Sequence, residues 1–130
     1  MPAGELSIER PAKQWAAGPM RRALDAFLEA VGVPLDDRRS MILAAGEALA
    51  NAVEHAYPSD EPGTVSLRAQ FASDGRVVVA VADRGRFVYR DPVPGRGFGL
   101  RIMGGMAHEV HIDTTAGTTV RLTFNLAEGT

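Results

Sequence analysis

The sequence contains no cysteine, a single lysine at Lys13, a single tryptophan at Trp15, and few aromatics, 6% of the whole. Without cysteine there are no disulfides, no thiolate-bound zinc and no thiol nucleophile. No apolar run approaches the length that crosses a bilayer, and the start lacks a signal-peptide pattern, so the expectation is a cytoplasmic protein with no membrane partner. An excess of positive charge is missing too: the net charge is −2. Direct nucleic-acid binding, which needs many Lys and Arg contacts to phosphate, is therefore not expected.

What is present is a chain of 130 residues, 45% hydrophobic and 23% charged. That is enough for one core, and a single domain over 1–130 is the expectation. Five of the arginines, Arg84, Arg86, Arg90, Arg96 and Arg101, fall close together. A guanidinium offers a planar fork of donors suited to phosphate or carboxylate.

The stretch from Leu35 to Tyr57 has the 3.6-residue period of an amphipathic helix. Ile42, Ala45, Leu49, Ala52, Val53 and Ala56 share one side, and Glu47, Asn51, Glu54 and His55 the other. Ala44, Ala48 and Ala50 are expected to flank the polar side and leave room beside it. Glu47 and Asn51 stand one helical turn apart. A carboxylate and an amide oxygen in that relation suit a general base and a Mg²⁺ ligand, and they equally suit a solvated surface.

In chain order, Glu5 to Arg10 alternates as a short strand ended by Pro11. A first amphipathic helix follows, with Pro19 expected in its first turn and Met20, Leu24, Phe27, Leu28 and Val31 buried, until Gly32 and Pro34 end it. After the long helix, Thr64 to Ala72 and Arg76 to Ala82 read as a hairpin about Ser73-Asp74-Gly75, its second strand central and buried on both faces. A lid over about 84–99 leads into a third helix from Phe98 to about His108. Glu109 to Asp113 and Thr118 to Leu126 close the chain as two strands. Hairpins with one-sided alternation imply an α+β, two-layer sandwich: a mixed, mostly antiparallel sheet with helices on one face. Regular βαβ alternation is missing, and Gly95, Gly97 and Gly99 do not match the Rossmann spacing.

Three glycines before a helix let backbone N–H groups approach phosphate oxygens at a favourable helix end. They also occur in loops that merely connect. Asp83, ending a buried strand, can accept a hydrogen bond from an amino group on a planar base, or can simply start a turn.

Taken together, Glu47-x-x-x-Asn51-Ala52-x-x-His55, Asp83-x-Gly85, Gly95-x-Gly97-x-Gly99-Leu100 and Gly117-Thr118-Thr119-Val120 resemble the N box, the glycine boxes and the terminal Gly-Thr-Thr of the GHKL (Bergerat-fold, histidine kinase-like) ATPases. Within that group the chain is most similar to the bacterial anti-sigma-factor serine-protein kinases. The resemblance implies ATP and Mg²⁺ as cofactors, with Asn51 on the metal and Glu47 as the base that activates the attacking hydroxyl. It implies Asp83 on the adenine amino group with Thr119 assisting through water, Gly85 as the floor, and Gly95, Gly97, Gly99 and Leu100 around the phosphates. His55 either reaches the phosphates or packs. It implies two partners, a STAS-domain anti-anti-sigma factor phosphorylated on serine and a sigma factor that is sequestered, with Arg21 contacting a partner, and a homodimer. Two other activities are open on the same residues: a nucleotide-gated binding module without transfer, and the catalytic domain of a sensor histidine kinase. Phe87 stands where the first glycine box usually has its second glycine, and the lid has no lysine.

Overall fold

Two features of the sequence set the architecture: strands whose apolar residues alternate, and helices whose apolar stripes are rich in alanine. A computed structural model describes residues 4–55, 62–85 and 107–126. The elements are β1 (Gly4–Pro11), α1 (Gln14–Ala30), α2 (Leu35–His55), β2 (Thr64–Phe71), β3 (Arg76–Asp83), β4 (Glu109–Asp113) and β5 (Thr118–Asn125).

The strands form one sheet in the order β1-β2-β3-β5-β4, and every pairing among them is antiparallel. The parallel component expected of a mixed sheet is therefore absent among the described strands. Register follows the alternation. Val79 stands between Ala69 and Leu122, and Val81 between Leu67 and Val120, so the buried residues of three strands fall in rows on one face. That face meets the helices: α2 contacts β2, β3 and β5, while α1 lies on β1 and α2. The expected two-layer sandwich with helices on one face is what forms. β3 is central, as its valine run suggests, but its other face is only half-buried at Val78, Ala80 and Ala82, because the described helices pack on the opposite face.

The helix α1 starts at Gln14, earlier than the sequence reading placed it, and Pro19 lies inside it. The proline has no N–H, so the carbonyl four residues before it loses a partner, while Gly18 lacks the Cβ that would meet the proline ring. Burial of Ala16, Ala17, Met20, Leu24 and Leu28 in the core offsets that loss. The helix ends in a Schellman turn: Gly32 takes φ +91°, its N–H donates to Glu29 O at 3.0 Å, and the Val33 N–H donates to Leu28 O at 2.9 Å. Arg38 then ties the two helices, donating from Nε to Asp25 Oδ1 at 3.1 Å and from Nη1 to Val33 O at 3.0 Å.

The buried side of α2 is rotated from the one expected. Met41, Ala44, Ala45, Ala48, Leu49 and Ala52 are buried, whereas Ile42 and Val53 are only partly so. Ala44 and Ala48, read as flanking a binding face, instead face the core. Their small side chains let the helix axis approach the sheet, a tertiary effect that a helical wheel of hydrophobicity does not weigh. The expected third helix and nearly all of the lid lie outside the described residues.

Candidate nucleotide site

The site is built where β3 ends beside the start of β5. Val77, Val79 and Val81 point into the core, and the same alternation brings Asp83 onto that face, 9% exposed. Asp83 Oδ1 accepts the Gly85 N–H at 2.9 Å, which turns the chain away from the strand. Burial pushes the Asp83 carboxyl above the ordinary carboxylate range, while hydrogen bonds from the Gly85 and Thr118 backbones pull it down less strongly. A carboxylate has about four acceptor positions, so those two donors leave capacity for an amino group brought to it.

Across the β3–β5 ladder the residue opposite Asp83 is Thr118, 8% exposed and on the same face. Thr119 pairs with Ala82 and lies on the other face of the sheet, away from α1 and α2. Thr119 thus lies across the sheet from the Asp83 carboxylate, which was expected to share a water with it. Thr118 is the hydroxyl on the Asp83 side, and sequence reasoning passed it over. The signal was there, since Val120, Leu122 and Phe124 inward put Thr118 inward and Thr119 outward.

Gly117 makes this corner possible. Its φ is +79°, and a Cβ there would run into the Asp83 carbonyl oxygen and come within 2.6 Å of Arg84 Cα. The turn before β5 thus lies directly on the backbone that follows Asp83.

Glu47 and Asn51 sit one turn apart on α2, the helix that packs on β3 and β5; Glu47 is partly buried and Asn51 exposed. Among the described residues no group of His, Asp and Glu could by itself cage a metal ion. One exposed amide oxygen at Asn51 fits a cation such as Mg²⁺, which keeps waters and substrate phosphates as most of its ligands. His55 is the last residue of α2, and its side chain lies outside the described residues, as do Gly95, Gly97, Gly99 and Leu100. The structure therefore brings Asp83, Gly85, Gly117 and Thr118 together at one corner and carries Glu47 and Asn51 on the adjoining helix.

Arg21 is exposed on α1. Its aliphatic stem lies across Gly46 of α2, where a Cβ would stand 3.0 Å from Arg21 Cδ. No helix among the described residues is long and apolar enough to cross a membrane.

Comparison with known proteins agrees with this fold. Residues 10–124 match the histidine kinase-like ATPase domain. The chain is 31% identical over 134 aligned positions to the serine-protein kinase RsbW of Bacillus licheniformis, covering 91% of this chain and 83% of that protein. It is 28% identical to the anti-sigma F factor of Heyndrickxia coagulans, covering 78% of this chain and 79% of that one. A crystal structure of the RsbU and RsbW domains of Rv1364c from Mycobacterium tuberculosis superposes with a TM-score of 0.77 at 31% identity; it covers 94% of this chain, which spans only 32% of that one. With its Asp83–Thr118 corner, its Glu47/Asn51 helix and this match over most of its length, the chain belongs to the histidine kinase-like ATPase domain family and is a homologue of the RsbW serine-protein kinases.

Proposed function

We propose that this chain is an ATP-dependent protein serine kinase and anti-sigma factor, working in the cytoplasm as one module over 1–130. Its substrate is a serine of a STAS-domain anti-anti-sigma factor, and its alternative partner is a sigma factor. The observation that carries the reading is the pairing of a buried acceptor, Asp83, with an α2 face bearing Glu47 and Asn51, in a chain homologous to RsbW. In this reading the Asp83 carboxylate accepts the adenine amino group, Thr118 stands beside it, and Gly85 leaves space for the base. The backbones of Gly95, Gly97, Gly99 and Leu100 receive the phosphates, with His55 near them, and Asn51 contributes an oxygen to Mg²⁺. The metal supplies neutralisation of phosphate charge.

Glu47 accepts the proton of the serine hydroxyl as its oxygen bonds to the γ-phosphorus. The bond from that phosphorus to the bridging oxygen breaks and ADP leaves with the electron pair. A carboxylate suits this task because phosphoryl transfer asks for positioning and proton acceptance more than for covalent catalysis. Arg21 engages the protein partner, and two copies associate as a homodimer.

The test is transfer of label from γ-labelled ATP to STAS-domain proteins of the same genome, run beside Glu47→Gln. Label on a serine that drops by at least about a hundredfold in the variant, with ATP affinity kept, is the expected result. Tight ATP binding without transfer to any candidate would make the chain a nucleotide-gated binder instead.

A further inference from the structure

Among the described strands β1 is an edge of the sheet. It pairs with β2 along all eight of its residues, from Gly4↔Phe71 to Pro11↔Thr64, whereas the other edge strand, β4, is five residues long. The register tells which of its backbone groups are used. Continued past Pro11, it sets Ala12 opposite Gly63, and the Ala12 N–H donates to Gly63 O at 2.9 Å. Bonded and unbonded pairs alternate in an antiparallel ladder, so Gly4, Leu6, Ile8 and Arg10 bond to β2 while the backbones of Glu5, Ser7 and Glu9 point away from the sheet. The Glu9 carbonyl accepts a bond from Arg10 Nη1 at 2.7 Å on the exposed surface. Among the described residues the N–H groups of Glu5, Ser7 and Glu9 and the carbonyls of Glu5 and Ser7 have no partner.

The side chains on both faces of this edge are unfinished too. On the face toward the helices, Leu67 and Ala69 of β2 are fully buried, but their ladder neighbours Ile8 and Leu6 are only partly so. Phe27 of α1, also partly buried, stands over the start of β1, where a Cβ on Gly4 would be 3.3 Å from its ring. The apolar rows of the core thus end open at β1. On the other face Glu5 and Glu9 are exposed, on either side of Ser7. Glu5 has only Arg68 at 3.9 Å, with both side chains more than half exposed, and among the described residues no ion pair reaches Glu9.

We propose that this edge is a docking site for an extended protein segment that adds a strand to the sheet, with Lys or Arg opposite Glu5 and Glu9 and apolar side chains opposite Leu6 and Ile8. Main-chain hydrogen bonds to Glu5, Ser7 and Glu9 supply the grip. The period of two supplies the selectivity: consecutive residues reading basic, apolar, any, apolar, basic place both cations on the acidic face and both apolar side chains beside Leu6, Ile8 and Phe27. The same two acids select against a second copy. Paired antiparallel with its own copy over its full length, β1 sets Glu5 against the partner's Glu9 and Glu9 against the partner's Glu5, like charges at both ends. None of these groups belongs to the Asp83 corner or to the α2 face of Glu47 and Asn51, so the edge acts independently of nucleotide.

The experiment has two parts, both on the intact chain. Amide hydrogen exchange followed by NMR reads the free edge: the N–H groups of Glu5, Ser7 and Glu9 are expected to exchange at least about tenfold faster than those of Leu6, Ile8 and Arg10. Slow exchange along the whole strand would overturn the proposal, by giving the edge to another part of the chain or to a second copy. Random dodecapeptides displayed on phage are then selected on the parent chain and counter-selected on Glu9→Lys. Enriched peptides are expected to carry Lys or Arg four residues apart with apolar residues between them, to slow exchange at Glu5, Ser7 and Glu9, and to bind at least about fivefold more weakly to Glu5→Lys and to Glu9→Lys. Both substitutions replace exposed side chains and are expected to leave the melting temperature close to that of the parent, which separates lost binding from lost folding. Methylating alternate amides of a selected peptide decides whether it binds as a strand: binding is expected to be lost in one phase and kept in the other. No enrichment, peptides without basic bias, or equal tolerance of N-methyl groups in both phases would overturn the proposal.

Discussion

Replacing Gly117 by alanine isolates the contact on which the nucleotide corner depends, because Gly75 provides a matched control. Both glycines occupy the left-handed region, at φ +79° and +87°. An L-residue pays about 1–2 kcal/mol for that backbone wherever it occurs. The surroundings differ. A Cβ at Gly75 meets only Leu126 Cβ at 3.8 Å, an ordinary contact, whereas at Gly117 it meets the Asp83 carbonyl and stands 2.6 Å from Arg84 Cα. Both obstacles at Gly117 are backbone, so the turn must move away from the end of β3. Gly75→Ala should therefore cost about 1–2 kcal/mol and Gly117→Ala at least about 2 kcal/mol more, a further fall in Tm of roughly 8 °C for a domain of this size. Urea and thermal unfolding followed by circular dichroism measure the difference, and a nucleotide-affinity titration follows the corner itself. Affinity for ATP should fall in Gly117→Ala and hold in Gly75→Ala, since only the first displaces Asp83 and Thr118. Equal costs for the two substitutions would refute the close approach, and with it the argument that Gly117 shapes the site.

Thr118→Val should weaken ATP binding by about tenfold, the value of one hydrogen bond lost from a buried hydroxyl, while Thr119→Val, on the far face, should leave it unchanged; calorimetric titration of both decides which threonine serves the base. Asp83→Asn retains an oxygen for the Gly85 N–H and removes a buried charge, so it should fold at least as stably at neutral pH and yet bind adenine nucleotides more weakly. The sign of the pH dependence follows from the raised carboxyl: the native state holds the proton more tightly, so Asp83 contributes stability below the ordinary carboxylate range that is lost as pH rises through its folded pKa. The difference in urea midpoint between parent and Asp83→Asn, followed from acid to neutral pH, should widen in favour of the variant across that window; a difference that does not vary with pH would contradict the burial effect. Arg38→Met removes the bond to Asp25 and the one to the Val33 carbonyl, and because Arg38 is mostly buried while Asp25 is half-exposed, a loss of about 1–2 kcal/mol in denaturant unfolding is expected.

Much of this was legible in the residues. Val65, Leu67, Ala69 and Phe71 alternate in a way that allows one buried face, and β2 buries all four. Glu109 to Asp113 was readable as a strand to the residue. Pro19 misled, because its preference for a first turn competes with the burial of Ala16 and Ala17, and burial won. Ala44 and Ala48 misled for a related reason. Alanine carries little hydrophobic signal, so its side of α2 is decided by how closely the helix approaches the sheet.

The sequence by itself determined the family, because the resemblance rests on residue types at spacings: the turn between Glu47 and Asn51, Asp83 two residues before Gly85, and the run Gly117-Thr118-Thr119. It determined the strand faces too, since a period of two is a local property of the extended backbone. The tertiary structure alone decided which groups meet. Register across β3 and β5 put Thr118, rather than Thr119, opposite Asp83, and the contact of Gly117 with the end of β3 closed the corner. The lie of Arg21 over Gly46 likewise joins residues from two helices. These are relations between distant parts of the chain, set by packing and ladder register, and no local pattern encodes the distance between them.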